Sequence, residues 1–201
     1  YSSGVTVSMT VIDTVYTVAT GGNISTSGDY KIHTFTSGGT FNVTTLGEDA
    51  SVHYLVVGGG GSGGAYGGSG AGAGGFRTNY GSVSGRNSSV LGGMNLSQTS
   101  YSITVSGGAA GRTWNGNWGS TDTPGHYGSP SSFNGITATG GGGGAGSYGG
   151  ELRDGACGGG ASEYVGNGSG EANQGFGGGT FSSAGDDYTN CAGGGGGAGA
   201  A

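Results

Sequence analysis

Charge is scarce in this chain. Of its 201 residues only 8% are Asp, Glu, Lys or Arg, and five of those are basic. With a formal net charge of −6, the chain lacks the clustered cations that displace counterions from phosphates, so no nucleic-acid partner is expected. No run of about 18 apolar residues occurs, which excludes insertion of a membrane-spanning helix. Tyr1 opens mid-pattern without a signal-peptide layout, as a fragment or processed product would. Leu, Ile and Phe are few, so a side-chain core of the usual kind is hard to build. Only two Cys are present, too few to define a redox compartment.

Catalytic signatures are missing as well. The sequence holds no GxSxG elbow, no HExxH, no CxxC and no acidic EF-hand loop. Spellings of the GxGxxG kind abound only because glycine does, and they lack the strand–turn–helix setting and the basic lysine that phosphate binding requires. Glu48-Asp49 and Asp186-Asp187 are adjacent acids, which an extended chain points to opposite faces. His33 and His53 each sit singly in a strand-like run, without a second ligand at metal spacing, and read as structural. The chain is therefore expected to be no enzyme, with no cofactor and no metal.

What is abundant is glycine, 57 residues of it. Such a composition is usually read as low complexity or flexible linker, yet disordered chains stay open through high charge, and this one has little. The tracts also have a period. Stepping by three from Gly58 meets Gly61, Gly64, Gly67 and Gly70; the next register holds only Gly, Ser and Ala, and the third carries Tyr66. The second tract repeats this with Gly140, Gly143, Gly146 and Gly149 on the bare edge and Tyr148 on the third. A three-residue helix with a rise of about 3.1 Å makes no internal hydrogen bonds, so every buried N–H and C=O must find a partner on a neighbouring chain. Bare glycine edges permit that close approach. The spacing predicts packed polyglycine II helices, the first tract spanning about 50 Å if straight.

The remainder reads as strands and loops. Residues 1–57 form a β-rich lead-in: Val5 to Val18 alternates, Tyr30–Thr36 and Thr40–Thr45 read as strands about a Ser37-Gly38-Gly39 turn, and Ser51–Val57 is the most apolar and most buried strand. Residues 58–201 form the glycine-rich unit, with strands interleaved over 76–139, among them Tyr101–Ser106 and Phe133–Thr139. The expected fold class is thus mostly β and irregular, essentially without α-helix. Loops between rigid tracts are the usual carriers of recognition, and the candidate contact residues in them are Trp114, Trp118, His126, Tyr127, Tyr164, Asp186, Asp187 and Tyr188. Trp114 and Trp118 serve equally well to cover bare glycine backbone. Cys157 and Cys191 flank two of the loops; a bridge would close about 34 residues and contribute roughly 3–4 kcal/mol, and the sequence leaves its formation open.

Gly28-Asp29-Tyr30-Lys31-Ile32-His33-Thr34-Phe35-Thr36-Ser37-Gly38-Gly39-Thr40-Phe41, Tyr54-Leu55-Val56-Val57-Gly58-Gly59-Gly60-Gly61 and Ser131–Gly144 together resemble the glycine-rich domain of phage tail and tail-fibre proteins. The resemblance covers about residues 19–201. It implies a virion-surface location, partners among other tail or fibre proteins, homo-oligomerisation, and loops on a polyglycine II core that contact a host-surface protein or glycan. Its binding loops are hypervariable, so no contact residue carries over individually. A self-assembling extracellular fibre or decoration protein is the rival expectation. An ice binder ranks third, because the loops interrupt the flat Thr or Ala face it needs.

Overall fold

A computed structural model describes residues 16–65, 67–113, 124–146, 153–182 and 192–199. Eleven short strands lie among these residues: β1 (Val18–Thr20), β2 (Asn23–Ser27), β3 (Tyr30–Thr34), β4 (Gly39–Thr45), β5 (Ser51–Val52), β6 (Leu55–Val57), β7 (Phe76–Thr78), β8 (Met94–Asn95), β9 (Ser100–Thr104), β10 (Ser131–Phe133) and β11 (Ile136–Ala138). One 3₁₀ turn, Gly85–Asn87, is the only helical element among the described residues. An antiparallel sheet runs β1-β4-β9-β10-β11, and β2-β3, β5-β8 and β6-β7 pair separately.

Alternating β-branched and aromatic residues supply a side-chain core among the described residues. Ala19, Val43 and Leu96 are buried, with Phe41, Val52, Met94, Tyr101 and Phe133 packed on them. The Phe133 ring meets Phe41 edge-on at 6.1 Å and Tyr101 at 6.0 Å, arrangements that the ring quadrupoles favour.

Three strand expectations are corrected. Ser37-Gly38-Gly39 does not close a hairpin: β3 pairs with β2, whereas β4 pairs with β1 and β9. The Phe35 ring packs against Gly21, Gly22 and Gly39, and this draws the chain out of the hairpin. The run Phe133–Thr139 is two strands, because Asn134 (φ 43°) and Gly135 (φ 81°) form the left-handed pair that a tight hairpin turn requires. Ser51–Val57 is broken into β5 and β6 and is not the most buried strand, since Leu55 is 63% and Val57 52% exposed. The alternation Val5–Val18 lies outside the described residues up to position 15.

Beyond the strands the hydrogen-bond period changes from two to three. In β6-β7, Val57 pairs with Phe76. The same register continues with Gly58 N–H to Gly75 O, Gly61 N–H to Gly72 O and Gly64 N–H to Ser69 O. Likewise β10-β11 pairs Ser131 with Ala138, and the ladder carries on as Gly128 N–H to Gly141 O and Gly125 N–H to Gly144 O. Each ladder leaves the pleated sheet as a pair of three-fold helices. We label the glycine segments g1 (58–64), g2 (69–75), g3 (106–111), g4 (124–130), g5 (139–146), g6 (155–162), g7 (166–170), g8 (175–180) and g9 (192–198).

Two of these helices form the interior. Residues 140–146 of g5 and 156–162 of g6 are buried throughout. Helix g5 donates to g1 (Gly141 to Gly59, Gly144 to Ser62) and to g6 (Gly142 to Cys157, Ala145 to Gly160), and accepts from g2 at Thr139, Gly142 and Ala145. Helix g6 donates to g8 (Gly158 to Phe176, Ala161 to Gly179) and to g2 (Gly160 to Gly70), and accepts from g9 through Gly193 and Gly196. Every third residue serves the same neighbour, as a three-fold screw dictates. The first tract is therefore not one straight helix of 50 Å. It folds back between Gly64 and Ser69, where Gly67 has φ 67°, and g1 and g2 lie antiparallel.

Candidate recognition end of the glycine bundle

The ladders give the bundle two distinct ends. At one end g1, g2, g4 and g5 join β6, β7, β10 and β11 directly. At the other lie the end of g1 at Gly64 and the start of g2 at Ser69, the start of g4 at Pro124 and Gly125, the end of g5 at Gly146, and the turn after g6, where Ser162 N–H donates to Val165 O. Arg112 Nε donates to the Pro124 carbonyl at 3.1 Å, tying together the chain on either side of residues 114–123. Gly193 N–H donates to Ala161 O, which brings the start of g9 to the same end.

Serine hydroxyls seal this end where glycine backbone alone leaves a donor or acceptor over. Ser69 Oγ donates to Gly160 O and accepts from Ala145 N–H, joining g2, g5 and g6. Ser62 Oγ accepts from His126 N–H, and Ser162 Oγ donates to Gly146 O at 2.6 Å. All three serines are buried, so these bonds meet the requirement that buried polar groups be paired.

A shallow depression of about 320 Å³ opens beside the turn after g6, with Ser162, Glu163, Tyr164, Asn167, Thr180 and Phe181 in its lining. Tyr164 is 62% exposed there. An aromatic ring set among hydroxyl, amide and one carboxylate group makes a surface able to stack and hydrogen-bond at once.

The candidate contact residues fall into three groups. Tyr164 lies at the far end, in the turn after g6. Trp114, Trp118, Asp186, Asp187 and Tyr188 lie outside the described residues, as do Tyr66, Tyr148 and Gly149. His126 and Tyr127 are not loop residues: their backbones belong to g4, where His126 O accepts from Ser62 N–H. A peripheral helix tolerates a large side chain on its outward edge, and the Tyr127 ring, 47% exposed, packs under the Arg153 guanidinium at 5.4 Å. Asn167, Phe181 and the sealing serines were not singled out in the sequence; hydroxyls recurring inside glycine tracts were the available signal.

Of the bare-edge glycines, Gly58, Gly61 and Gly64 face Thr139, Gly142 and Ala145 of g5, while Gly140 and Gly143 face Gly128 and Gly125 of g4. Gly146 is buried at the end of g5. Gly70 sits on g2 against Gly194 and Gly195, on a different helix from Gly58. Cys157 is a wholly buried free thiol, and Cys191 lies outside the described residues. His33 is structural, its Nδ1 2.8 Å from Gly21 O and its ring edge-on to Phe41 at 5.0 Å. Among the described residues no group of His, Cys, Asp and Glu could hold a metal ion.

A family of glycine-rich domains matches the chain over residues 34–201. The chain belongs to the glycine-rich domain family. The match runs from the last residue of β3 through the whole bundle, so this glycine-rich domain comprises both the period-two ladders and the period-three lattice they feed. Comparison with curated proteins and with solved structures returned no match.

Proposed function

We propose that this glycine-rich domain is a structural and receptor-binding component of a tailed-phage virion, in which the bundle holds connecting segments at one end for attachment to a host surface. The observation that carries the reading is the unbroken passage of the β6-β7 and β10-β11 ladders into three-fold helices. It makes a rigid spacer of about 20 Å per seven-residue helix between the strands and the far end. Loops held on a scaffold of this kind recognise partners at low ordering cost. The resemblance of residues 28–41, 54–61 and 131–144 to phage tail and tail-fibre sequences supports the virion setting, and the chain acts there as a non-enzymatic, homo-oligomeric part.

The test uses purified chain as a competitor of phage adsorption. The expected outcome is that wild-type chain blocks adsorption, that Trp114→Ala, Trp118→Ala and Tyr188→Ala weaken the block about tenfold or more, as loss of interface aromatics does, and that their melting transitions stay unchanged. Equal blocking by all variants, or none by wild type, rejects attachment. A second reading, self-assembly into an extracellular fibre, is favoured by the β2-β3 hairpin. Both its faces are largely exposed, and neither outer edge pairs with another strand among the described residues, the arrangement that invites strand addition. Free filaments in electron micrographs of purified chain would favour it.

A further inference from the structure

A second candidate surface lies on the strands, away from the far end of the bundle. The β2-β3 hairpin carries Tyr30 just after its Gly28-Asp29 turn. Beside it stand His53, with ring centroids 6.1 Å apart, and then Tyr80, 4.8 Å from His53. Tyr30 is 63% and Tyr80 65% exposed, and His53 is exposed between them. Exposed aromatics are ordinary when scattered singly; a contiguous row of three is not.

The row is held in place by a clamp beneath it. Asn79 Oδ1 accepts from Tyr54 N–H at 2.9 Å and Asn79 Nδ2 donates to Val52 O at 2.7 Å. One amide side chain thus takes the place of a neighbouring strand across His53. Thr78 Oγ1 donates to Tyr54 O at 2.6 Å and accepts from Tyr80 N–H at 3.1 Å. The backbone on either side of His53 is therefore tied to that of Tyr80 by the Thr78 and Asn79 side chains, and neither ring belongs to the side-chain core around Val43 and Leu96.

We infer that Tyr30, His53 and Tyr80 form a stacking platform for an uncharged, pyranose-based polysaccharide. Aromatic faces stack on flat C–H surfaces, and the phenol and imidazole edges supply hydrogen-bonding groups that a purely apolar partner would leave unused. Nucleobases also stack on such rings. Their phosphates, however, would approach Asp29, next to Tyr30, and Asp49, whose Oδ1 accepts from Ser51 N–H two residues before His53, on a chain of net charge −6. Sugar hydroxyls carry no charge and meet no such repulsion. The inference is independent of any recognition at the far end of the bundle.

The experiment incubates full-length chain with an immobilised set of neutral polysaccharides (dextran, starch, β-glucan, mannan, galactan) beside a polyuronate and a choline-bearing surface. The expected result is retention on at least one neutral polysaccharide, with a shift of the His53 ring signals on titrating its oligosaccharide. Tyr30→Ala and Tyr80→Ala should each weaken retention about tenfold, and Tyr30→Phe and Tyr80→Phe, which keep the ring and lose the hydroxyl, should weaken it less. Retention only on polyuronate or choline, retention on none, or wild-type retention by the Tyr30→Ala/Tyr80→Ala double variant overturns the platform. Both tyrosines are exposed, so matching melting curves will separate loss of binding from loss of fold.

Discussion

Glycine in this bundle is selected for room rather than for backbone freedom. Left-handed φ values occur at Gly21, Gly22, Gly28, Gly67, Gly81 and Gly135, each in a turn. Within g1 to g9 no described glycine adopts one, so another residue would be allowed there by its dihedrals and forbidden only by its neighbours. A Cβ on Gly61 would lie 2.2 Å from Gly142 O, and one on Gly143 would lie 2.3 Å from Gly125 O, whereas nothing stands within 4 Å of Gly107 or Gly197. Gly61→Ala and Gly143→Ala are therefore expected to separate two helices and lower stability by about 3 kcal/mol or more, each displaced helix orphaning amides at about 1–3 kcal/mol apiece. Gly107→Ala and Gly197→Ala should be neutral or stabilise by about 0.4–1 kcal/mol through the unfolded chain. Urea titrations of the four variants make the comparison; equal behaviour would contradict a packed lattice. Cys157 is the bulkiest wholly buried side chain of the bundle, and burial raises its thiol pKa above the ordinary 9.0, partly offset by a hydrogen bond with the Phe176 backbone. A raised folded-state pKa means that the folded chain holds its proton longer. The associated stability is then fully present below pH 9.0 and is lost as pH rises through the folded value. In a Cys191→Ser background, Ellman's reagent at pH 8 should label Cys157 only at the rate of global unfolding; rapid labelling of native chain would show that the thiol is accessible.

At the scale of elements, the passage from β11 into g5 bonds to a buried side chain, Gln174. Gln174 is 2% exposed. Its Oε1 accepts from Thr139 N–H at 2.8 Å and its Nε2 donates to Thr139 Oγ1 at 3.1 Å, at the point where β11 becomes g5. Nothing in the run Glu171-Ala172-Asn173-Gln174 marks its last residue for burial. Replacing Gln174 with Ala leaves the part-buried Thr139 N–H without its partner and empties a buried site, and a loss of about 1–3 kcal/mol is expected. Thermal melts of Gln174→Ala against the exposed control Glu171→Ala will check this, and a difference below about 0.5 kcal/mol would make the pair dispensable.

For the whole molecule, shared ladders imply shared unfolding. Because β6-β7 and β10-β11 continue in register into g1-g2 and g4-g5, the aromatic core around Phe41 and the buried helix g5 should melt in a single transition. Near-ultraviolet dichroism of the Tyr101 region and hydrogen exchange at the amides of Gly141, Gly142, Gly144 and Ala145 are expected to report the same free energy. These four amides all donate to neighbouring helices, so they should be among the slowest to exchange despite lying in neither α-helix nor strand. Exchange at unprotected rates would return the tracts to the status of linkers.

Several features were legible without coordinates, and for a common reason. Alternation marked β9, small residues in step of three marked the bare edges of g1 and g5, and scarce charge told against an open chain, because each depends only on the local repeat of the backbone. Polyglycine II makes no hydrogen bonds within itself, so nothing in the order of residues says which helix will lie beside which. The fold-back at Gly67, the parallel run of g2 along g9, the place of His126 and Tyr127 in g4, and the burial of g6 on nearly all sides were decided by partners distant in the chain. The same holds for the row Tyr30, His53 and Tyr80, drawn from three separate turns and strands. Local repeats specify what each segment is able to bond with; which partner it meets depends on closing the whole lattice so that no interior amide is left over.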